Sequence, residues 1–568
     1  MRKNVVLLLP APLFAFAQSY DPPGATMLIL GTYLANRGIK VSLRSQSVPA
    51  YHSGETFQKY PGSSDLSWYL NKSEKILAEH PEATHLAISC WQSSLYVGAI
   101  LTALVARQVR PELPIIVGGY HPSVVPEDFQ QKLGYWKEIE QKIQFYNVPI
   151  PEQLTELEEV ATRNPDQVLF DYVVRGPGEA ELYKIVTKDN GCRKTTNTSW
   201  GQIPETGPQI NWELLENSEF SSLYPFKIFN KEENTGRSRV RTLLSRGCVF
   251  RCRFCLEQGV RGNKWLAMSP REAIDHILDI ENRFNPTNIA FSDACFGMKR
   301  DWRDKFLRLL NDTPTNTKFW TDPRLDQISK ESFEAYAKKF FALYLALESG
   351  SPQQLVAMDK TRNPEKFLNH FAKIIEWNNN HELKIQTTIL VAFPGENFQT
   401  IVEAAEYWKR VARIDGQNGV SSVLGAVSSY SHWPGCYTWN NEDYFTEKYG
   451  SSFIDQHWWD LLFDSEQDLS PWFLQAVNPS HNFSWLHGQM ARFELASCLM
   501  ENMNVSWRED SQKDPETRFQ LFDEFIQRWK GGKIKLRKDW LNIFDRLLTE
   551  RQNWVSNSMN TTKPLYVI

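Results

Sequence analysis

Apolar residues in this chain fall into short runs separated by amphipathic stretches, and the runs come in two series. In the first, Val5 to Leu9, Lys40 to Leu43, His85 to Ser89, Ile115 to Val117 and Tyr172 to Val174 read as strands. Gly24 to Asn36 has helical apolar spacing and stops at Gly38, a suitable C-terminal cap. This alternation predicts a doubly wound, Rossmann-like parallel sheet whose ligands bind beyond the carboxyl ends of the strands. In the second series Arg241 to Leu244, Asn288 to Ser292, Lys318 to Thr321, Phe341 to Ala346, Ile385 to Val391 and Val420 to Leu424 read as strands. Helices such as Pro270 to Phe284, Asp301 to Leu310 and Asn397 to Ala412 lie between them. Six such repeats suit a partial, TIM-like (β/α)6 barrel, with chemistry again at the strand carboxyl ends.

The remaining stretches are bounded by these two series. Residues from about 130 to 165 are charged and helical in pattern, an insertion before the last strand of the first domain. Residues 186–238 are polar, contain Pro204 and Pro208, and read as a linker. Beyond residue 425 come about half of the chain's 20 tryptophans, with helical spacing from Phe519 to Trp529 and from Trp540 to Trp554. The expected organisation is α/β: a sheet domain over 1–185, a linker over 186–238, a barrel over 239–424 and an aromatic-rich, mainly helical domain over 425–568. In that last part Trp458, Trp459, Trp472 and Trp485 suit either a small aromatic core or a pocket that stacks on a planar substrate.

Composition narrows the function classes. A chain of 568 residues has room for about three to four domains. The formal net charge of -4 gives no electrostatic case for nucleic acid or an anionic membrane. No apolar run reaches the ~18 residues of a membrane span. Met1-Arg2-Lys3 and the apolar run to Ala15-Phe16-Ala17 are similar to a signal peptide, but Pro10 and Pro12 interrupt the run. Val5 to Leu9 before Pro10 is read instead as a first buried strand. Eight cysteines, three of them clustered, suit metal ligation in a reducing, cytoplasmic compartment rather than a disulfide framework.

The clustered cysteines carry the chemistry. In Ser245-Arg246-Gly247-Cys248-Val249-Phe250-Arg251-Cys252-Arg253-Phe254-Cys255 they stand at C-x3-C-x2-C spacing just past a strand. Thiolates this close on a loop can share one soft-metal centre. A structural zinc site would need a fourth protein ligand, and no further Cys or His follows nearby. Three cysteines on a four-iron cubane leave one iron open to a small chelating ligand.

With Phe254 in its aromatic slot, this loop resembles the C-x3-C-x-aromatic-C signature of the radical S-adenosylmethionine (SAM) superfamily. The resemblance implies a [4Fe-4S] cluster on Cys248, Cys252 and Cys255, with SAM chelating the open iron. Downstream segments follow in the family's order. Ser292-Asp293-Ala294-Cys295-Phe296 resembles its acidic loop, with Asp293 the candidate contact to SAM. Leu347-Glu348-Ser349-Gly350-Ser351 resembles its Glu-Ser-Gly-Ser segment, which implies contacts from Glu348 and Ser349. Phe393-Pro394-Gly395-Glu396 resembles the stretch flanking the adenine, with Pro394 implied there, and Ser431-His432-Trp433-Pro434-Gly435 the segment that leaves the barrel. Each single residue of this kind is as often a helix cap. Cys295 is a candidate catalytic residue, with a small buried core cysteine as the alternative.

Upstream, Pro22-Pro23-Gly24-Ala25, Gly118-Gly119-Tyr120-His121-Pro122 and Gly176-Pro177-Gly178-Glu179 resemble the first domain of the cobalamin-dependent branch. The resemblance implies cobalamin contacts from Pro23, Gly24, Ser89, Gln92, Ser93, Gly118, Gly119, His121, Gly176, Gly178 and Glu179. The D-x-H-x-x-G motif that supplies a cobalt-ligating His elsewhere is absent, so base-off cobalamin is implied and His121 reads as a turn or polar contact. For this branch the implied activity is methyl transfer to an unactivated carbon, through a 5'-deoxyadenosyl radical and methylcobalamin, with two SAM molecules used per turnover. Implied partners are a small-molecule or peptide substrate and an electron donor such as flavodoxin or ferredoxin. Oxidative ring closure or rearrangement, non-radical methyl transfer, and a non-catalytic sensor are the competing readings. Methylthio transfer is disfavoured because no further N-terminal cysteine triad is present.

Overall fold

The structure, a computed structural model, describes residues 3–11, 25–46, 66–145, 152–188, 196–218 except 203 and 217, 226–227, 238–415 except 258–259, 261–263 and 382, 423–453, 459, 477–485, 487–488, 491–492 and 495. The chain divides into two compact units. One is Met1–Leu243 with Gly259–Met268 and His457–Pro471; the other is Leu244–Gln258 with Ser269–Gln456 and Trp472–Ile568.

In the first unit six strands form one parallel sheet: β1 (Asn4–Leu9), β2 (Lys40–Ser45), β3 (His85–Ser89), β4 (Ile115–Gly118), β5 (Tyr172–Arg175) and β6 (Asn197–Trp200). Their order is β2-β1-β3-β4-β5-β6, so the winding reverses between β1 and β3, the position at which doubly wound sheets open a crevice. Val5, Val6, Leu7 and Leu8 are buried because helices cover both faces of a parallel sheet. The helix Ala25–Ala35 returns the chain from β1 to β2. It stops where Gly38, at φ 80°, donates its N–H to the carbonyl of Ala35 at 3.0 Å.

A buried ion pair ties helix Tyr96–Val109 to the starts of β4 and β5. Arg107 and Asp171 have no exposed side-chain surface and meet at 2.6 Å. Arg107 also donates to the carbonyls of Val168, Pro111 and Leu113, and Asp171 accepts the N–H of Ile115 at 2.7 Å. Every charge in the pair therefore has hydrogen-bond partners, the condition for tolerating burial.

Three expectations change here. The stretch read as a linker contributes β6, a polar Asn-Thr-Ser-Trp edge strand beside β5, and buries Trp212 and Leu215. The inserted helices Trp136–Phe145 and Glu152–Arg163 precede β5, which is therefore not the last strand of its sheet. Trp459, assigned by sequence to a separate C-terminal domain, is buried within the first unit. The helices expected over 519–529 and 540–554 lie outside the described residues.

In the second unit β7 (Asn288–Phe291), β8 (Lys318–Thr321), β9 (Phe340–Tyr344), β10 (Lys384–Val391) and β11 (Val423–Ser429) run parallel in chain order. Helices Pro270–Phe284, Arg300–Asp312, Lys330–Lys339, Pro364–Asn378 and Phe398–Asp415 alternate with them. This sequential order is compatible with an open barrel. Pro270–Phe284 matches its expected bounds because its signals are local. Ser269 and Glu272 form a reciprocal capping box, Pro270 opens the helix, and Asn285 ends it at φ 41°. The strand before the cysteine loop is Ser238–Thr242 rather than Arg241 to Leu244. Among the described residues no helix is long and apolar enough to cross a membrane.

Arg107→Met leaves the Asp171 carboxylate buried without its counter-charge. The expected cost is ~3–5 kcal/mol, read as a lower urea midpoint for the transition of the first unit. An unchanged midpoint would show that the pair does not hold helix to sheet.

Candidate functional site

The cysteine loop of the second unit is anchored at its entrance by Asp293, which follows β7. One carboxylate oxygen accepts the Leu244 N–H at 2.9 Å and the other accepts the Ser245 hydroxyl. Burial pushes the Asp293 carboxyl up to about 7, against the pull of those hydrogen bonds. Asp293 thus orders the start of the loop, a role the reading of it as a direct SAM contact did not include.

The middle of the loop is clasped by the segment after helix Pro352–Ala357. The Arg253 N–H donates to the Met358 carbonyl at 2.9 Å and its guanidinium to the Ala357 carbonyl at 3.1 Å. Phe254, in the aromatic slot, packs edge-on to Phe393 at 6.4 Å between centroids. Cys252 is buried and Cys248 and Cys255 are half-buried, and none of the three is in a disulfide. Among the described residues no three His, Cys, Asp or Glu side chains close on a point that would hold a single metal ion. Thiolates on a cubane bind separate irons and need no such convergence.

Cys295, two residues past Asp293, is buried against Cys248 and hydrogen-bonds it; this bond, more than burial, holds the Cys295 thiol well above its usual range. The same bond is the largest influence bringing the Cys248 thiol down to about 7, while burial takes Cys255 up to about 12. Cys295 therefore meets Cys248 of the cysteine loop, which neither the catalytic nor the simple core reading anticipated.

Sequence reasoning missed two cations here. Arg324, three residues past β8, points Nη1 at the Cys252 sulfur at 3.6 Å and lies over the Phe250 ring at 3.7 Å. Its other nitrogens donate to Asp326 at 2.9 Å and to the Lys360 carbonyl. Lys360 is buried, pairs with Glu348 at 3.3 Å and stands 5.8 Å from the Phe254 ring. Asp322, two residues before Arg324, is half-buried; its buried Oδ1 has no hydrogen-bond partner among the described residues, and desolvation holds the carboxyl well above the usual carboxylate range. The available signal was only their position at strand or helix ends.

Glu348 and Ser349 lie beyond β9, and both are buried. Glu348 takes φ 72°, uncommon for a side-chain-bearing residue, and exchanges backbone hydrogen bonds with Thr388 and Leu390 of β10. Strain of this kind gathers at functional positions. Ser351 caps helix Pro352–Ala357, the plain helix-cap role. Pro394 is buried in the turn after β10, where the Glu396 carboxylate accepts the Ala392 N–H and Gly395 donates to the Pro479 carbonyl at 2.8 Å. His432 is buried and bonded to Glu442 at 2.8 Å.

In the first unit the cobalamin candidates gather at the carboxyl ends of three adjacent strands. Ser89, Gln92 and Ser93 follow β3, Gly118, Gly119 and His121 follow β4, and Gly176, Gly178 and Glu179 follow β5. Ser89, Gln92 and the four glycines are half-buried, leaving a partly open edge poor in side chains. Gly119, at φ 126°, runs so close to Cys90 that a Cβ would stand 2.5 Å from its carbonyl oxygen. His121 is buried with both ring nitrogens engaged, Nδ1 by the Ser93 hydroxyl at 2.7 Å and Nε2 by Asp128 at 2.9 Å. Trp459 donates its indole N–H to the same Asp128 oxygen at 2.7 Å and stacks edge-on against His121 at 4.8 Å. His121 thus makes polar contacts on both ring nitrogens, and Trp459 is buried against it. Pro23 and Gly24 lie outside the described residues.

Residues 242–407, which include the three clustered cysteines, match the Radical SAM superfamily. A tRNA-2-methylthio-N(6)-dimethylallyladenosine synthase of Aliarcobacter butzleri is 26% identical over 210 residues, 35% of this chain and 46% of that protein. The chain spans about half the length of the curated relatives it matches. Two structures of the radical SAM methyltransferase TsrM from Kitasatospora setae share the fold. One, with cobalamin and a [4Fe-4S] cluster bound, has TM-score 0.51 at 14% identity and covers 77% of each chain. The other, with tryptophan substrate and a SAM analog bound, has TM-score 0.53 at 11% identity and covers 92% of this chain and 99% of that one. At such identities the likeness is one of fold.

Burial raises the Glu396 carboxyl from 4.5 to about 8. Between those values the folded chain holds a proton that the unfolded chain releases, so this residue's contribution to stability falls as pH rises through that window. Glu396→Gln keeps an acceptor for the Ala392 N–H and removes the titration. The stability of wild type relative to this variant is expected to fall between about pH 5 and about pH 8, measured by urea unfolding; a constant difference would contradict the assignment.

Proposed function

We propose that this protein is a cobalamin-dependent radical SAM methyltransferase that places a methyl group on an unactivated carbon of a biosynthetic intermediate or peptide. The observation that supports the reading best is the pairing, in one chain, of two sites. One is a radical SAM domain with three thiols on a cation-braced loop. The other is a parallel sheet whose strand ends are lined by glycine and serine. The likeness in fold to TsrM, solved with cobalamin and a [4Fe-4S] cluster, supports both cofactors.

In this reading Cys248, Cys252 and Cys255 hold the [4Fe-4S] cluster, and Asp293 fixes the start of their loop through Leu244 and Ser245. A buried positive charge at 3.6 Å from Cys252 and soft sulfur donors suit an anionic iron–sulfur centre. Glu348, Ser349 and Pro394 border SAM at the ends of β9 and β10. The half-buried edge at Ser89, Gln92, Gly118, Gly119, Gly176 and Gly178 suits a wide, flat corrin, which needs close backbone approach. His121, with both ring nitrogens engaged by Ser93 and Asp128, would serve a bound cobalamin by ordering this loop rather than by ligating cobalt. Bound at these sites, the cluster with SAM supplies one-electron chemistry and cobalamin a transferable methyl group. An external electron donor and a reducing, cytoplasmic setting follow from that chemistry.

The test is an anaerobic assay of the reconstituted protein with candidate substrates, read by mass spectrometry. Methylated product with both 5'-deoxyadenosine and S-adenosylhomocysteine is expected. Deoxyadenosine alone would favour oxidative or rearrangement chemistry, and S-adenosylhomocysteine alone a non-radical transfer; either result removes the proposed reaction. Cys252→Ala is expected to abolish the iron–sulfur absorbance and deoxyadenosine formation, and retained deoxyadenosine would contradict the assignment of the loop.

A further inference from the structure

Arg324 lies outside every segment that carries the cluster or SAM in the reading above, yet among the described residues it makes the shortest contact of a cation with a ring of the cysteine loop. Its side chain is only 8% exposed. The guanidinium is fixed on four sides: the Phe250 ring at 3.7 Å, Asp326 at 2.9 Å, the Lys360 carbonyl, and the Cys252 sulfur at 3.6 Å. A guanidinium held this firmly cannot swing away when the charge beside it changes, and its planar fork reaches several acceptors at once, unlike an ammonium. Phe250 and Phe254 stand on either side of Cys252 in sequence, and each has a buried cation at its ring, Arg324 at one and Lys360 at the other. Among the described residues the one counter-ion touching Arg324, Asp326, is one-third exposed and so only partly cancels its charge toward Cys252.

We propose that Arg324 is a positioning residue for the cluster: it fixes the middle cysteine, Cys252, and directs a buried positive charge at that thiolate, which raises the reduction potential of the centre held there. The inference rests on Cys248, Cys252 and Cys255 being cluster ligands. Reduction adds one negative charge to a centre that already bears the charge of three thiolates. A fixed cation, and an N–H aimed at a ligand sulfur, stabilise the reduced state more than the oxidised one. The one electron comes from an external reductant, and no bond at Arg324 forms or breaks. The same contact orders the loop before iron is taken up, because Arg324 bridges Cys252 to the Lys360 segment.

The experiment compares wild type, Arg324→Gln and Arg324→Lys as full chains. Each is reconstituted anaerobically with iron and sulfide and titrated with dithionite in the absence of SAM. Iron content and the electron paramagnetic resonance signal of the reduced cluster are the readouts. Arg324→Gln is expected to lower the equilibrium for one-electron reduction by about tenfold or more, a midpoint ~59 mV more negative per tenfold. Arg324→Lys, which keeps the charge, is expected to fall nearer to wild type. Iron-loaded Arg324→Gln with an unchanged midpoint overturns the proposal. If Arg324→Gln takes up no iron, Arg324→Lys decides: restored iron uptake supports a charge that holds Cys252, and continued loss overturns it. Wild type that takes up no iron removes the cluster reading itself, a result distinct from a loaded wild type whose variants behave alike.

Discussion

Three cysteines on one short loop would repel one another as the thiolates a cluster needs, and a loop with little regular structure has little of its own to hold them. The second unit answers that constraint with fixed partners from four successive strand ends. Asp293 after β7 takes the loop's first hydrogen bonds, Arg324 after β8 meets Cys252, the Lys360–Glu348 pair follows β9, and Phe393 after β10 packs on Phe254. Sequential parallel strands place their carboxyl ends in a row, so residues distant in sequence reach one loop. The order of the strands is therefore what makes the cysteine loop a site rather than a turn.

The first unit solves a different problem with the same kind of sheet. The wide ligand proposed for it would require an edge with few side chains, and glycine leaves such an edge where the backbone must also bend. Gly119 combines a positive φ with an approach to Cys90 that excludes any Cβ. Behind that edge Ser93, His121, Asp128 and Trp459 are locked together by hydrogen bonds, all but Asp128 almost wholly buried, so the loops after β3 and β4 are fixed before anything binds. Preorganisation of this kind removes the ordering cost from the binding step.

Much of this was legible in the chain. Strands such as Val5 to Leu9 announce themselves because parallel strands bury both faces, and the cysteine spacing needs no fold to be read. Helix Pro270–Phe284 could be bounded from its cap residues alone. What stayed hidden depends on partners far away in sequence. The edge strand Asn197–Trp200 is polar and mostly exposed, so its pairing with β5 leaves no hydrophobic pattern. Arg324 reads as one surface arginine among many until Cys252, 72 residues earlier, is beside it. Trp459 donates to Asp128, 331 residues away, and nothing local marks it as core for the first unit. Asp293 was singled out as a SAM contact by its place in a family-like acidic loop, and the hydrogen bonds it accepts from Leu244 and Ser245 had no signal in the sequence.

The central claim is that one chain carries an iron–sulfur centre and a corrin. Metal analysis of protein prepared anaerobically with iron, sulfide and cobalamin supplied tests it most directly. The account predicts about four irons per chain together with stoichiometric cobalt, the iron lost and the cobalt retained when Cys252 is replaced by Ala. Zinc in place of iron, or iron without cobalt, would contradict it.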